Sequence, residues 1–201
     1  MTAGSARAVE PVVRGLVWAG VTADQLAWAA LVTGLGAGVA LAVGWFGVAC
    51  LLAICSAIGD SLDDEVAQRT ATDSRRGALL DAVVDRYTEF AFLAGLVFFY
   101  RDDGALVGVV LAALLATYTL SYATAKAEAL HVEPPRGVMQ RHERAVLLVA
   151  GAGLSSLLGG WLAERWSLPA TTPELVGLAV VASVGNAAGV VRLVRIGRAL
   201  G

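Results

Sequence analysis

Eight of the chain's 17 acidic residues fall between positions 60 and 89: Asp60, Asp63, Asp64, Glu65, Asp73, Asp81, Asp85 and Glu89. On a helix that turns about 100° per residue, Asp60, Asp63, Asp64 and Ala67 share one face, and Asp81, Asp85 and Glu89 share a face of a following helix. Carboxylates so crowded repel one another. Protonation, pairing with Arg69, Arg75, Arg76 or Arg86, or divalent cations held among them would relieve the repulsion. The segment has no His or Cys, and oxygen-only ligands favour a hard ion such as Mg²⁺ or Mn²⁺, of which Mg²⁺ commonly completes its shell with substrate phosphates. Glu65 and Asp73 read as a solvated edge. Further on, Lys126, Arg136, Arg141 and Arg144 bring positive charge that suits an anionic co-substrate, or that serves topology and lipid-headgroup contact. His131 and His142 lack metal-ligand spacing and read as loop residues.

Such side chains need rigid elements to carry them. Apolar stretches near 25–43, 45–60, 79–100, 104–125, 145–163 and 174–191 are each long enough, or nearly so, to cross about 30 Å of hydrocarbon as a helix. The second is short in apolar terms, so its helix is expected to run on past Asp60 into the polar boundary. Thr22 and Gln25 have capping-box spacing at the start of the first. The pairs Gly34/Gly38 and Gly185/Gly189 have the four-residue spacing that lets helix backbones approach closely in lipid. Trp45, Trp161, Trp166 and Tyr100 fall near span ends, where amphipathic rings sit at headgroup level.

Composition agrees. Of 201 residues, 57% are apolar and 16% charged, with mean hydropathy +0.70, against about 25% charged in ordinary globular chains. This excludes a water-soluble globule, disorder and a fibrous repeat. A net charge of −2 gives no reason to expect nucleic acid as a partner. Cys50 and Cys55 lie about 140° apart around one helix, poor geometry for a disulfide. With the N-terminus inside, Arg7, Arg14, Arg69, Arg75, Arg76, Arg86, Lys126, Arg136, Arg141, Arg144, Arg192, Arg195 and Arg198 face the cytoplasm and only Arg101 and Arg165 face out, which predicts both termini inside. Residues 1–21 form a cytoplasmic segment without a cleavable signal, in which Pro11–Val17 can make a short amphipathic surface helix. Residues 22–201 form an all-α membrane domain of six spans.

The acidic segment resembles the signature of the CDP-alcohol phosphatidyltransferase family, D-x2-D-G-x2-A-R-x8-G-x3-D-x3-D. Asp60, Asp63, Ala67, Gly77, Asp81 and Asp85 match it in identity and spacing across 26 positions, while Asp64 stands where the family has glycine and Gln68 where it has arginine. Segments 121–128 and 137–144 resemble the bacterial phosphatidylinositol-phosphate synthase branch, with Thr124 where that branch usually has lysine. The resemblance implies transfer of a phosphatidyl group from CDP-diacylglycerol to a small, phosphorylated alcohol with release of CMP, in a bacterial cytoplasmic membrane with the site facing the cytoplasm. It implies Mg²⁺ or Mn²⁺, as two ions, held by Asp60, Asp63, Asp81 and Asp85. Asp85 would be the general base. Asp60, Asp63, Asp64, Ala67, Gln68 and Gly77 would meet the CDP group, Lys126, Arg136, Arg141 and Arg144 the acceptor, and two copies would form a homodimer.

The altered positions open a second reading. An aspartate at 64 adds bulk and negative charge, and a glutamine at 68 offers a neutral amide instead of a charged fork, as in a relative that binds CDP-lipid without turnover. Arg69 points about 100° away from Gln68 and does not simply replace the arginine. A third reading, a cation transporter, predicts acids spread across membrane depth, whereas these cluster at one side.

Overall fold

The computed structural model describes residues 3–71, 74–133 and 137–200, with side chains from Glu10 onward. Among the described residues there are seven helices and no strand: α1 (Ala3–Trp18), α2 (Ala23–Ala42), α3 (Phe46–Thr70), α4 (Arg75–Phe99), α5 (Gly104–Ala129), α6 (Arg141–Trp166) and α7 (Thr172–Ala199). Five of them, α2, α3, α5, α6 and α7, are long and apolar enough to cross a membrane. In α4 an equally long helix carries Asp85, Arg86 and Glu89 within its apolar run. Large apolar side chains such as Val32, Val39, Leu51, Leu115 and Leu157 point outward, an arrangement costly in water and natural in lipid. The chain is an all-α membrane protein.

Local chemistry sets the helix ends. Thr22 Oγ1 accepts from the Gln25 amide at 3.3 Å and Gln25 Oε1 accepts from the Thr22 amide at 3.1 Å, which is the expected capping box at the head of α2. Ser74 caps α4 by accepting from the Gly77 amide at 3.0 Å. The helix of the second apolar stretch does continue past Asp60, as far as Thr70, where Ala71 stops it in the left-handed conformation at φ 52°. Cys50 and Cys55 are unbonded.

Two bodies make up the bundle. In one, α2 lies between α3 and α4; in the other, α5 pairs with α7; α6 packs on both α3 and α7 and joins them. The glycine spacings act inside this chain. A methyl group at Gly38 would overlap the Ala91 carbonyl of α4, one at Gly95 would overlap the Gly38 carbonyl, and one at Gly34 would strike Thr88. Gly185 and Gly189 play the same part against Ala116 and Thr119 of α5. Two sequence expectations are corrected here. Tyr100 packs inside the core against Phe99 instead of anchoring at headgroups, because α4 ends against its neighbours. His142 lies in the first turn of α6, not in a loop, since the Gln140–Glu143 capping box starts that helix earlier than its apolar run.

Candidate active site

The acidic signature spans the end of α3 and the start of α4, two helices packed on α2 and joined by a short connection. One carboxylate oxygen from each of Asp60, Asp81 and Asp85 lies within 4.8 Å of the others. Asp81 and Asp85 stand one turn apart on α4 and face Asp60 across the helix pair. Every donor is a carboxylate oxygen, the chemistry that suits a hard divalent cation, Mg²⁺ or Mn²⁺. Asp63 is buried one turn further along α3, and its Oδ1 accepts from the Asp64 amide at 2.6 Å.

Arg141, from the first turn of α6, reaches into this cluster. Its guanidinium lies 3.1 Å from Asp60 Oδ2 and also contacts Asp85 Oδ1. Three carboxylates facing one another need positive charge, and this side chain supplies it. Arg144, one turn on, is 2% exposed and donates through Nε and Nη2 to Glu89 Oε1 at 3.1 and 3.0 Å and through Nη1 to the Met139 carbonyl at 2.9 Å. Arg86 meets the other Glu89 oxygen at 3.1 Å and contacts Ser121 Oγ. Glu89, expected on the acidic face, therefore belongs to an arginine network and is not part of the metal-ligand cluster.

Two polar cavities flank the carboxylates. The first, about 440 Å³, is walled by Asp63, Asp64, Ala67, Arg76, Gly77 and Asp81 together with the start of α2. The second, about 770 Å³, is walled by Asp85, Ser121, Thr124, Arg141, Arg144 and Arg192 among others. Arg192 donates to Thr124 Oγ1 at 3.0 Å and to the Leu120 carbonyl at 3.3 Å. A narrower apolar space of about 120 Å³ runs from Asp60 and Asp85 inward past Ala57, Phe92 and Leu148.

Most residues singled out from the sequence gather here. Asp60, Asp81 and Asp85 form the cluster; Asp63, Asp64, Ala67 and Gly77 line the smaller cavity; Arg141 and Arg144 line the larger. Gln68 is exposed and off the cavity walls, and Lys126 lies on the outer face of α5. Arg136 and Asp73 lie outside the described residues. Sequence reasoning did not place Arg76 or Arg192 in a binding cavity: it offers Arg76 only as a pairing partner for the carboxylates and Arg192 only as a topology charge. Arg192 shares a helix stripe with the small residues that pack α7 on α5, a signal present in the spacing. Arg69 is turned away, as its helical phase requires, and bonds Glu10 of α1 at 3.3 Å; with Arg14 it holds the Glu10 carboxyl below its usual range.

The same architecture recurs in known proteins. Residues 20–183 match the family model described as CDP-alcohol phosphatidyltransferase. The chain is 33% identical over 161 residues to a phosphatidylinositol phosphate synthase of Mycobacterium tuberculosis, a match covering 76% of this chain and 72% of that protein. To the synthase of the same name from Mycolicibacterium smegmatis it is 32% identical over 180 residues, covering 87% and 78%. Its fold is similar to the crystal structure of the Mycobacterium tuberculosis synthase with CDP-DAG bound, at TM-score 0.80 and 26% identity over 94% of each chain. It is equally similar, at TM-score 0.80 and 25% identity over 92% of this chain and 87% of the other, to that synthase in complex with manganese and citrate. Matching helices, a carboxylate cluster suited to a divalent ion and a family model that spans most of the sequence agree: the chain belongs to the CDP-alcohol phosphatidyltransferase family.

Proposed function

We propose that this protein transfers the phosphatidyl group of CDP-diacylglycerol to a small phosphorylated alcohol and releases CMP. The observation that carries the reading is the position of the Asp60–Asp81–Asp85 cluster between an acid-lined cavity and an arginine-lined one, with an apolar space leading away from it. In this reading the nucleotide enters the smaller cavity. Ala67 and Gly77 leave room there, Asp63 and Asp64 border it, and Arg76, the cationic wall residue among those described, faces its phosphates. The acyl chains stay in lipid and the cytidine in water.

The residues divide the work. Asp60, Asp63, Asp81 and Asp85 would hold Mg²⁺ or Mn²⁺, as two ions, which when bound neutralise the pyrophosphate and the charge developing on the leaving CMP. Arg141, Arg144 and Arg192 draw the anionic acceptor into the larger cavity and orient its hydroxyl, reducing the entropy cost of the encounter. Asp85 borders that cavity and takes the hydroxyl proton. The acceptor oxygen then bonds to the phosphatidyl phosphorus as the bond from that phosphorus to the CMP oxygen breaks. The relatives are named for phosphatidylinositol phosphate, so an inositol phosphate heads the list of acceptors.

In this proposal α2 to α7 are six spans, and the arginine asymmetry supports both termini inside. In this reading the site faces the cytoplasm from a bacterial cytoplasmic membrane, in a single domain of residues 22–201 preceded by the segment 1–21. A homodimer is the assembly we expect. CMP release from CDP-diacylglycerol with Mg²⁺ or Mn²⁺, tested against inositol phosphate, glycerol phosphate, serine and inositol, is the deciding experiment. Turnover by the wild type and none by Asp85→Asn supports the reading. Gln68 lies off the donor cavity, and Asp64 adds a negative charge to its wall, which favours one other reading, a relative that binds the lipid without turnover. That reading wins if the wild type is silent with every acceptor and Asp64→Gly with Gln68→Arg is active.

A further inference from the structure

A fourth cavity, about 480 Å³, is walled by α7 and the segment before α6, and none of the clustered aspartates lines it. Val184, Ala187, Ala188, Val191 and Arg195 recur along α7 at helical spacing and line it, together with Arg192 and with Val138 from the segment before α6. Val184 and Val191 are about half exposed and Val138 more so, so the groove is open to whatever surrounds α7. The two small alanines between two valines make a trough about 10 Å long between Val184 and Val191. It ends in two guanidinium groups. Apolar for most of its length and cationic at one end, the trough complements a single kind of molecule that a membrane offers: a phospholipid whose acyl chain lies along Ala187 and Ala188 and whose negative headgroup meets Arg192 and Arg195.

We propose that this groove binds one anionic phospholipid, at a site separate from that of the CDP-lipid. The proposal requires that α7 lie in the bilayer, and it does not depend on turnover. Arg192 and Gly137 wall both this groove and the arginine-lined cavity. A lipid seated here therefore brings its phosphate to the rim of the cavity in which the phosphorylated acceptor is placed above. Arg195, which lines the groove and not that cavity, is the residue that distinguishes the two sites.

Native mass spectrometry on protein in detergent with equal amounts of dioleoyl phosphatidylglycerol and dioleoyl phosphatidylcholine tests the proposal. The wild type is expected to retain one phosphatidylglycerol at least tenfold over phosphatidylcholine. Ala188→Trp, which fills the trough, and Arg195→Gln, which removes headgroup charge, should each lower that retention about tenfold. A second measurement needs no variant: excess CDP-diacylglycerol should leave the retained lipid in place. Equal retention of the two lipids by the wild type overturns the proposal. So does undiminished retention in both variants. Displacement by CDP-diacylglycerol would make the groove part of the donor's own path, and loss of a dimer in Ala188→Trp would make it a surface between two copies; either result also overturns it.

Discussion

Arg141 is the side chain on which the acidic cluster depends when no other cation is near. Its guanidinium lies against Asp60 and Asp85, and without it three carboxylates confront one another uncompensated. Arg141→Gln is therefore expected to lower the melting temperature in EDTA and to respond more strongly than the wild type when Mn²⁺ is added, since the ion then supplies the missing charge. Thermal unfolding with and without the metal measures both effects. A smaller Mn²⁺ response in the variant would refute the argument. A second carboxylate sits at the opposite end of the bundle. Glu174 is fully buried near the start of α7, against Gly151 of α6, and neither of its carboxylate oxygens has a hydrogen-bond partner among the described residues. A buried ionisable group without donors is destabilising, so Glu174→Met, of similar length, should leave the melting temperature unchanged or raise it by a few degrees. A loss above about 1 kcal/mol would mean that the carboxylate is held by a partner.

The elements do their positioning through close backbone approach. Because the Gly38 carbonyl lies where a Gly95 side chain would be, and the Ala91 carbonyl where a Gly38 side chain would be, α2 and α4 touch without intervening side chains. Gly38→Ala and Gly95→Ala should each cost about 1–3 kcal/mol of stability and reduce activity with it, as overpacking forces the helices apart. Gly160→Ala on α6 meets nothing within 4 Å and should be neutral or stabilise by about 0.5–1 kcal/mol; denaturant melts of the three variants compare them. At the end of α3, Ala71 holds a left-handed conformation that glycine adopts without strain. Ala71→Gly should stabilise by about 1 kcal/mol. These elements were legible in the sequence, since apolar length and capping spacing are local properties. The aspartate cluster was legible for the same reason: Asp60, Asp81 and Asp85 sit on two consecutive helices whose phase fixes which way they face. The arginine side was not. Arg144 meets Glu89 across 55 positions and Arg192 meets Thr124 across 68, and local spacing reveals neither partner, although the place of Arg192 on the small-residue stripe of α7 shows which way it turns. Tyr100 misled for a related reason, because its place at a span end is local and its burial in the core is not.

At the scale of the whole molecule, the two polar-rimmed cavities draw on different sets of helices: α2, α3 and α4 wall the smaller one, and α4, α5, α6 and α7 wall the larger. The smaller cavity is built on the α2–α3–α4 unit, where backbones interlock, and the larger one lies where α5 and α7 face that unit through sparse contacts between α4 and α5 and between α5 and α6. A dense contact resists displacement, while a thin one yields first. Under the proposed function the molecule would work as a vice with one fixed jaw and one sprung jaw: a larger acceptor is expected to be admitted by a shift of α5 against α4, where contacts are thin, while the α2–α3–α4 packing beside the nucleotide stays closed.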